Sequence, residues 1–172
     1  MRAIGRVSRV ADAIGRLGLG LSMVAIAATV LLILAEIVLR AAFATSLLIV
    51  EEVVGYLVSL AVMTALAGAF REGEMIRVTA LPAMLRPGAA RALEIASLAL
   101  ALAATLFLAR YVLRSAWRFV ERGTTSNGVV PVPLWLPEAA ALLGLALLAA
   151  VLALSLVERV AAPPVAPPRT AG

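Results

Sequence analysis

The sequence predicts an all-α fold, a polytopic integral membrane protein with four transmembrane helices and an interfacial amphipathic connector. Three observations lead there. Of 172 residues, 63% are hydrophobic and only 15% charged, against roughly 25% charged in a soluble domain. The apolar residues gather into four runs, each close to the roughly 20 residues needed to cross a hydrocarbon core of about 30 Å. The charges lie between those runs. A soluble four-helix bundle would show a polar stripe on every helix, and residues 19–35 and 139–157 have almost none.

The same composition excludes whole classes of function. Cysteine and histidine are absent, which removes disulfides, imidazole chemistry and the common nucleophile–histidine pairs. No catalytic group, metal or cofactor is expected, and the chain does not read as an enzyme. All 15 basic residues are arginine and the net charge is +5. They are dispersed rather than packed into a basic tract, so they read as membrane topology and not as a nucleic-acid footprint.

Taken in order, residues 1–16 form an amphipathic cytoplasmic N-terminal segment. Arg2, Arg6, Arg9 and Arg16 alternate with Ile4, Val7, Val10 and Ile14, around a single acid, Asp12. Such a segment suits an anionic lipid surface. A four-helix membrane domain over 17–158 follows, with spans at about 17–39, 47–70, 92–113 and 139–157. Residues 40–50 are a short turn. Residues 71–91 alternate charged and apolar side chains around Pro82 and Pro87, and form the interfacial connector. Residues 159–172 are a Pro/Ala-rich cytoplasmic tail, extended or disordered.

Four spans put both termini on one face. That face carries Arg2, Arg6, Arg9, Arg16, Arg71, Arg77, Arg86, Arg91, Arg159 and Arg169. The other carries Arg40, Arg110, Arg114, Arg118 and Arg122. The excess places the termini in the cytoplasm.

Within this frame a few polar groups stand out. Arg110, Arg114, Arg118 and Arg122 recur every four residues, forming one slowly drifting helical stripe among Tyr111, Trp117 and Phe119. Two readings stay open. The stripe anchors the third helix at the interface, with arginines snorkelling to phosphates. Alternatively, the helix continues past the bilayer to Gly123 and presents a basic face to a partner. Glu51 and Glu52 open the second span, where carboxylates suit a helix N-terminus. Glu36 and Arg40 form an i,i+4 pair. The centres of all four spans lack charge, which argues against a complete transport pathway within this chain. Small residues, among them Gly15, Gly18, Gly20, Ala61, Gly68 and Gly144, permit close helix packing, either within the chain or against another subunit. Pro131, Pro133 and Pro137 stiffen the loop before the fourth span, with Trp135 at belt depth.

The order of these features resembles the DctQ-like small membrane subunit of tripartite ATP-independent periplasmic (TRAP) transporters. Glu51–Glu52 is followed by Tyr56 and Leu57. After the second span comes Arg71-Glu72-Gly73-Glu74-Met75-Ile76-Arg77-Val78, where the family often has Gly-x-His-Ile-x-Val-Asp. Met75 stands in the histidine place and Thr79 in the aspartate place. Ser126 precedes Val130-Pro131-Val132-Pro133-Leu134-Trp135-Leu136-Pro137, and Gly144 follows in the fourth span. The likeness spans roughly residues 15–158, and the tryptophan that many members have before the acidic pair is missing.

The resemblance implies a small permease subunit in the bacterial inner membrane. It would scaffold a large polytopic TRAP membrane subunit. It would also help a periplasmic substrate-binding protein dock for ion-gradient-driven uptake of an organic anion. On that implication Arg110, Arg114, Arg118, Arg122 and Trp135 are docking candidates. Glu36, Arg40, Glu51, Glu52, Tyr56, Arg71, Glu74 and Arg77 are candidates for subunit assembly or anchoring. Membrane lipids are expected partners and nucleic acid is not. The rival class is a structural or assembly subunit of another inner-membrane complex.

The chain's lack of cysteine makes its orientation directly testable. A single cysteine at Ala3 should resist an impermeant maleimide in intact cells, and one at Thr125 should react. The reverse pattern would invert the topology.

Overall fold

The computed structural model describes residues 2–43, 45, 49–73, 87–126 and 131–161. Of the connector expected over 71–91, residues 71–72 continue α2 and 87–91 open α3; residues 74–86, with Glu74 and Arg77, and the tail beyond 161 lie outside the described residues. Four helices are present: α1 (Arg2–Phe43), α2 (Val50–Glu72), α3 (Pro87–Arg122) and α4 (Trp135–Ala161). All four are long and apolar enough to cross a membrane. The chain is an all-α polytopic membrane protein.

Two helices are longer than the spans they contain. α1 runs unbroken from the arginine-rich lead-in through the first span, 42 residues or about 63 Å. No proline interrupts it, so nothing forces a bend between lead-in and span. α3 has 36 residues, about 54 Å, and continues to Arg122. It stops at Gly123, whose φ of +56° is a conformation glycine adopts without penalty. Gly73 ends α2 in the same way, at φ +75°.

α4 is the hub, packing against each of the other three helices. α1, α2 and α4 are mutually in contact, whereas α3 touches only α4 among the described helices. The consequence shows in burial. About 28% of the apolar window of α4 is covered by protein, but only 6% of that of α3. The buried positions of α1 are Ala11, Gly15, Gly18, Ser22, Ala25, Thr29 and Glu36. From Ala11 to Thr29 they alternate by four and three, the spacing of a continuous seam between two near-parallel helix axes. Their small size lets backbones approach, which supplies the packing that drives association in lipid.

The closest approaches are specific. A Cβ on Gly18 would collide with the Thr64 carbonyl oxygen on α2, and one on Gly144 would collide with the Met63 backbone. α2 is therefore gripped at adjacent positions by a glycine from each flanking helix. The threonine hydroxyls within the spans return to their own helices: Thr64 Oγ1 donates to the Leu60 carbonyl, Thr29 Oγ1 to Ala25 and Thr105 Oγ1 to Ala101, each at 2.8 Å. They satisfy themselves locally and leave no polar track along the span.

Gly18→Ala and Gly144→Ala should each destabilise the bundle by about 1–3 kcal/mol through overpacking against backbone. Gly20→Ala, where the added methyl meets nothing within 4 Å, should be neutral or slightly stabilising. Thermal unfolding in detergent, followed by circular dichroism, reads the difference.

Candidate functional site

The charged groups of the folded chain collect at two levels. At the end that holds the start of α1 and the end of α4, Arg71 closes α2 and reaches both neighbours. Its Nε donates to Asp12 Oδ1 on α1 at 2.8 Å, and Nη2 donates to the same oxygen. Nη1 donates to Glu158 Oε2 on α4 at 3.1 Å and to Ser155 Oγ at 3.3 Å. Nη2 also meets Ser8 Oγ at 3.3 Å. The planar five-donor fork of a guanidinium suits this, because it spreads donors toward two helices at once. Gly15 makes room: a Cβ there would press on the Arg71 side chain at 3.2 Å.

The same end ties the outer hairpin. Arg91 Nη2 donates to the carbonyls of Arg159 and Val160, at 3.1 and 3.2 Å, satisfying free oxygens at the end of α4. Arg159 Nη2 pairs with Glu94 at 2.9 Å.

At the opposite level, Glu52 Oε2 accepts a 2.9 Å bond from Ser126 Oγ in the α3–α4 loop. That hydroxyl in turn accepts the Val132 N–H at 3.2 Å. The two arms of the loop are held by an antiparallel bridge between Thr125 and Pro133, with the Ser126 N–H donating to the Val132 carbonyl at 2.8 Å. Ser115 Oγ donates to Glu138 Oε1 at 3.0 Å, joining α3 to the start of α4. Glu36 and Arg40 pair at 2.7 Å near the end of α1. About 20 residues separate the two levels along α2 and α4 (Arg71 to Glu52, Glu158 to Glu138), close to one hydrocarbon thickness. Between them the ionisable side chains stay within about a turn and a half of one level or the other: Arg16 on α1, Tyr56 on α2, and Arg110, Tyr111 and Arg114 on α3.

The expected site residues thus divide. Arg71 and Glu52 sit in networks between elements, and Glu36 with Arg40 forms a pair along one helix. Glu51 is exposed and Tyr56 half-buried on α2, while Glu74 and Arg77 lie outside the described residues. Arg110, Arg114, Arg118 and Arg122 are all exposed on α3. Trp135 opens α4. Partners that the sequence alone did not single out are Asp12, Glu158, Ser155, Ser115 and Glu138. For Asp12 a signal existed: it is the sole aspartate of the chain, set among arginines. Glu158 carries no such mark, since a carboxylate at a helix end is ordinarily solvated.

A family model described as "Tripartite ATP-independent periplasmic transporters, DctQ component" matches residues 29–162. The chain belongs to the DctQ family. No curated protein and no solved structure matches it. The match runs from within α1 to just past the end of α4, and so covers the loop between α3 and α4, the Glu52 level, and all of the Arg71 network except Ser8 and Asp12. A DctQ component is part of a TRAP transporter and not an enzyme. In such transporters it works with a large membrane subunit, DctM, and a binding protein, DctP. The four spans and the family together make this an inner-membrane, multi-pass protein.

Arg71→Met should cost about 1–3 kcal/mol of stability. That is less than a fully buried pair would lose, because the Asp12 side chain is 43% exposed. Arg71→Lys should restore little, since one ammonium cannot bridge both carboxylates. Glu158→Gln combined with Arg71→Met should destabilise by less than the sum of the two, because the glutamine leaves no uncompensated charge. Unfolding midpoints of the four proteins in mixed micelles measure this coupling.

Proposed function

We propose that the chain is the small permease subunit of a TRAP-type secondary transporter. It braces the large membrane subunit and helps the periplasmic binding protein dock for ion-gradient-driven uptake of an organic anion. The observation that supports this best is the division of labour among the helices. α1, α2 and α4 form a unit locked by glycine contacts and Arg71, with no charged or polar track through its centre. A body of this kind can brace a partner but offers no substrate path of its own. α3 stands outside it, held through α4 alone, with Leu100, Leu106, Phe107 and Leu113 exposed. An apolar face of that size suits a helix partner or lipid.

Both termini lie in the cytoplasm on this proposal, and the α3–α4 loop is periplasmic. The outermost stripe member, Arg122, then flanks a loop whose shape is set by Ser126 and Glu52, with Trp135 at its base. That rim is the docking surface for the delivery protein. Assembly with the large subunit falls to the lipid-level faces, with Glu51 and Tyr56 on the exposed start of α2.

Expressed with both partners, the chain should copurify with the large membrane subunit. Arg122→Gln with Trp135→Ala should lower uptake severalfold at limiting binding protein and restore it at saturating binding protein, with the membrane pair still intact. Unchanged uptake at limiting binding protein would remove the docking role. Failure to copurify would remove the bracing role.

A further inference from the structure

We propose that α3 carries a binding site for an anionic phospholipid, whose phosphodiester sits between Arg114 and Arg118 and whose acyl chain runs down α3 over Phe107 and Leu100. The proposal does not rest on the transporter role. It rests on an open groove of about 670 Å³ lined by Tyr111, Leu113, Arg114, Trp117 and Arg118.

Depth comes first. α3 and α4 are in step at both ends, through Glu94 with Arg159 and through Ser115 with Glu138. Glu94 and Arg114 are about 20 residues apart, roughly 30 Å, so Arg114 lies where the hydrocarbon ends and phosphates begin. Tyr111 and Trp117 are each 63% exposed and bracket that level, where their amphipathic rings are favoured.

Direction comes second. The buried residues of α3 are Thr105 and Ala116 among those described, and α4 is the described helix that α3 packs against. At 3.6 residues per turn Arg114 points about half a turn away from both, outward from the bundle. Phe107 and Leu100 lie seven and fourteen residues before Arg114, nearly in line beneath it. They are 75% and 71% exposed. A strip of uncovered apolar surface leads directly to the two guanidiniums.

Charge comes third. Among the described residues neither Arg114 nor Arg118 has an ion pair. The nearby carboxylates are turned to neutral donors: Glu121 accepts the Trp117 indole N–H at 2.6 Å, and Glu138 accepts the Ser115 hydroxyl. Two adjacent guanidinium forks without an ion pair among the described residues match the oxygens of one phosphodiester. An anionic headgroup is favoured over a zwitterionic one, because the latter would bring an ammonium beside two cations.

The protein supplies its own probe. It has two tryptophans, so Trp135→Phe leaves Trp117 in the groove as the sole emitter. Reconstituted in phosphatidylcholine vesicles, this protein should be quenched by brominated-acyl phosphatidylglycerol with an apparent affinity on the order of tenfold above that of the matching phosphatidylethanolamine. Arg114→Gln with Arg118→Gln should bring the ratio close to one, while quenching by brominated phosphatidylcholine stays unchanged and reports an intact insertion depth. Arg6→Gln with Arg9→Gln, an equal loss of charge on α1, should leave the ratio intact. Inorganic phosphate should not displace the lipid, because it lacks the acyl chain. Equal quenching by the two headgroups would overturn the proposal. So would a ratio that survives loss of Arg114 and Arg118, which would leave the pair to an acidic protein surface, or one that falls equally with Arg6 and Arg9, which would reflect bulk charge alone.

Discussion

A bilayer offers helices no hydrophobic reason to associate, because lipid tails are as apolar as leucine. What remains is close packing and polar contacts, and in this chain both converge on α2. Gly18 and Gly144 let α1 and α4 meet its backbone around Met63 and Thr64. One turn beyond Ala67, Arg71 fastens the same three helices with a single guanidinium. Register follows from that pair of constraints. Once Asp12 and Glu158 meet Arg71, the axial positions of α1 and α4 relative to α2 are set to within the reach of a side chain.

The remaining architecture inherits this register. α4 is held against α2, and α3 is held against α4 by ties at both ends, so α3 takes its depth in the membrane from Arg71 at one remove. The α3–α4 loop closes the circuit by returning Ser126 to Glu52 on α2. The polar contacts between elements thus lie at the two levels where water and headgroups make them affordable, and the span between is packed by shape alone. That arrangement is rigid where a scaffold needs rigidity, and leaves one helix with most of its surface uncovered.

Much of this was legible in the sequence, for definite reasons. A requirement for about 20 apolar residues per span is a one-dimensional constraint, so the four helices follow from the order of residues. Glycine at position 123 marked the end of α3. The order of Glu51–Glu52, the 71–78 segment and the proline-rich approach to Trp135 carried the family likeness that the match over 29–162 establishes. The extent of α1 was less legible: the amphipathic lead-in and the first span differ in composition, yet no residue between them breaks a helix.

The sequence by itself therefore determined the number of spans, the family and the residues available at each membrane face. Tertiary structure alone decided which of those residues meet. Arg71 had the same local appearance as Arg77, and Glu158 that of any carboxylate at a helix end. Their pairing joins residues 87 positions apart, and local periodicity holds no information about separations of that size. The same holds for α3. Its arginine stripe was readable as a stripe, but only the burial of Thr105 and Ala116, on a helix packed against α4, showed that Arg114 faces outward, because direction on a helix has meaning only once a neighbour occupies the other side.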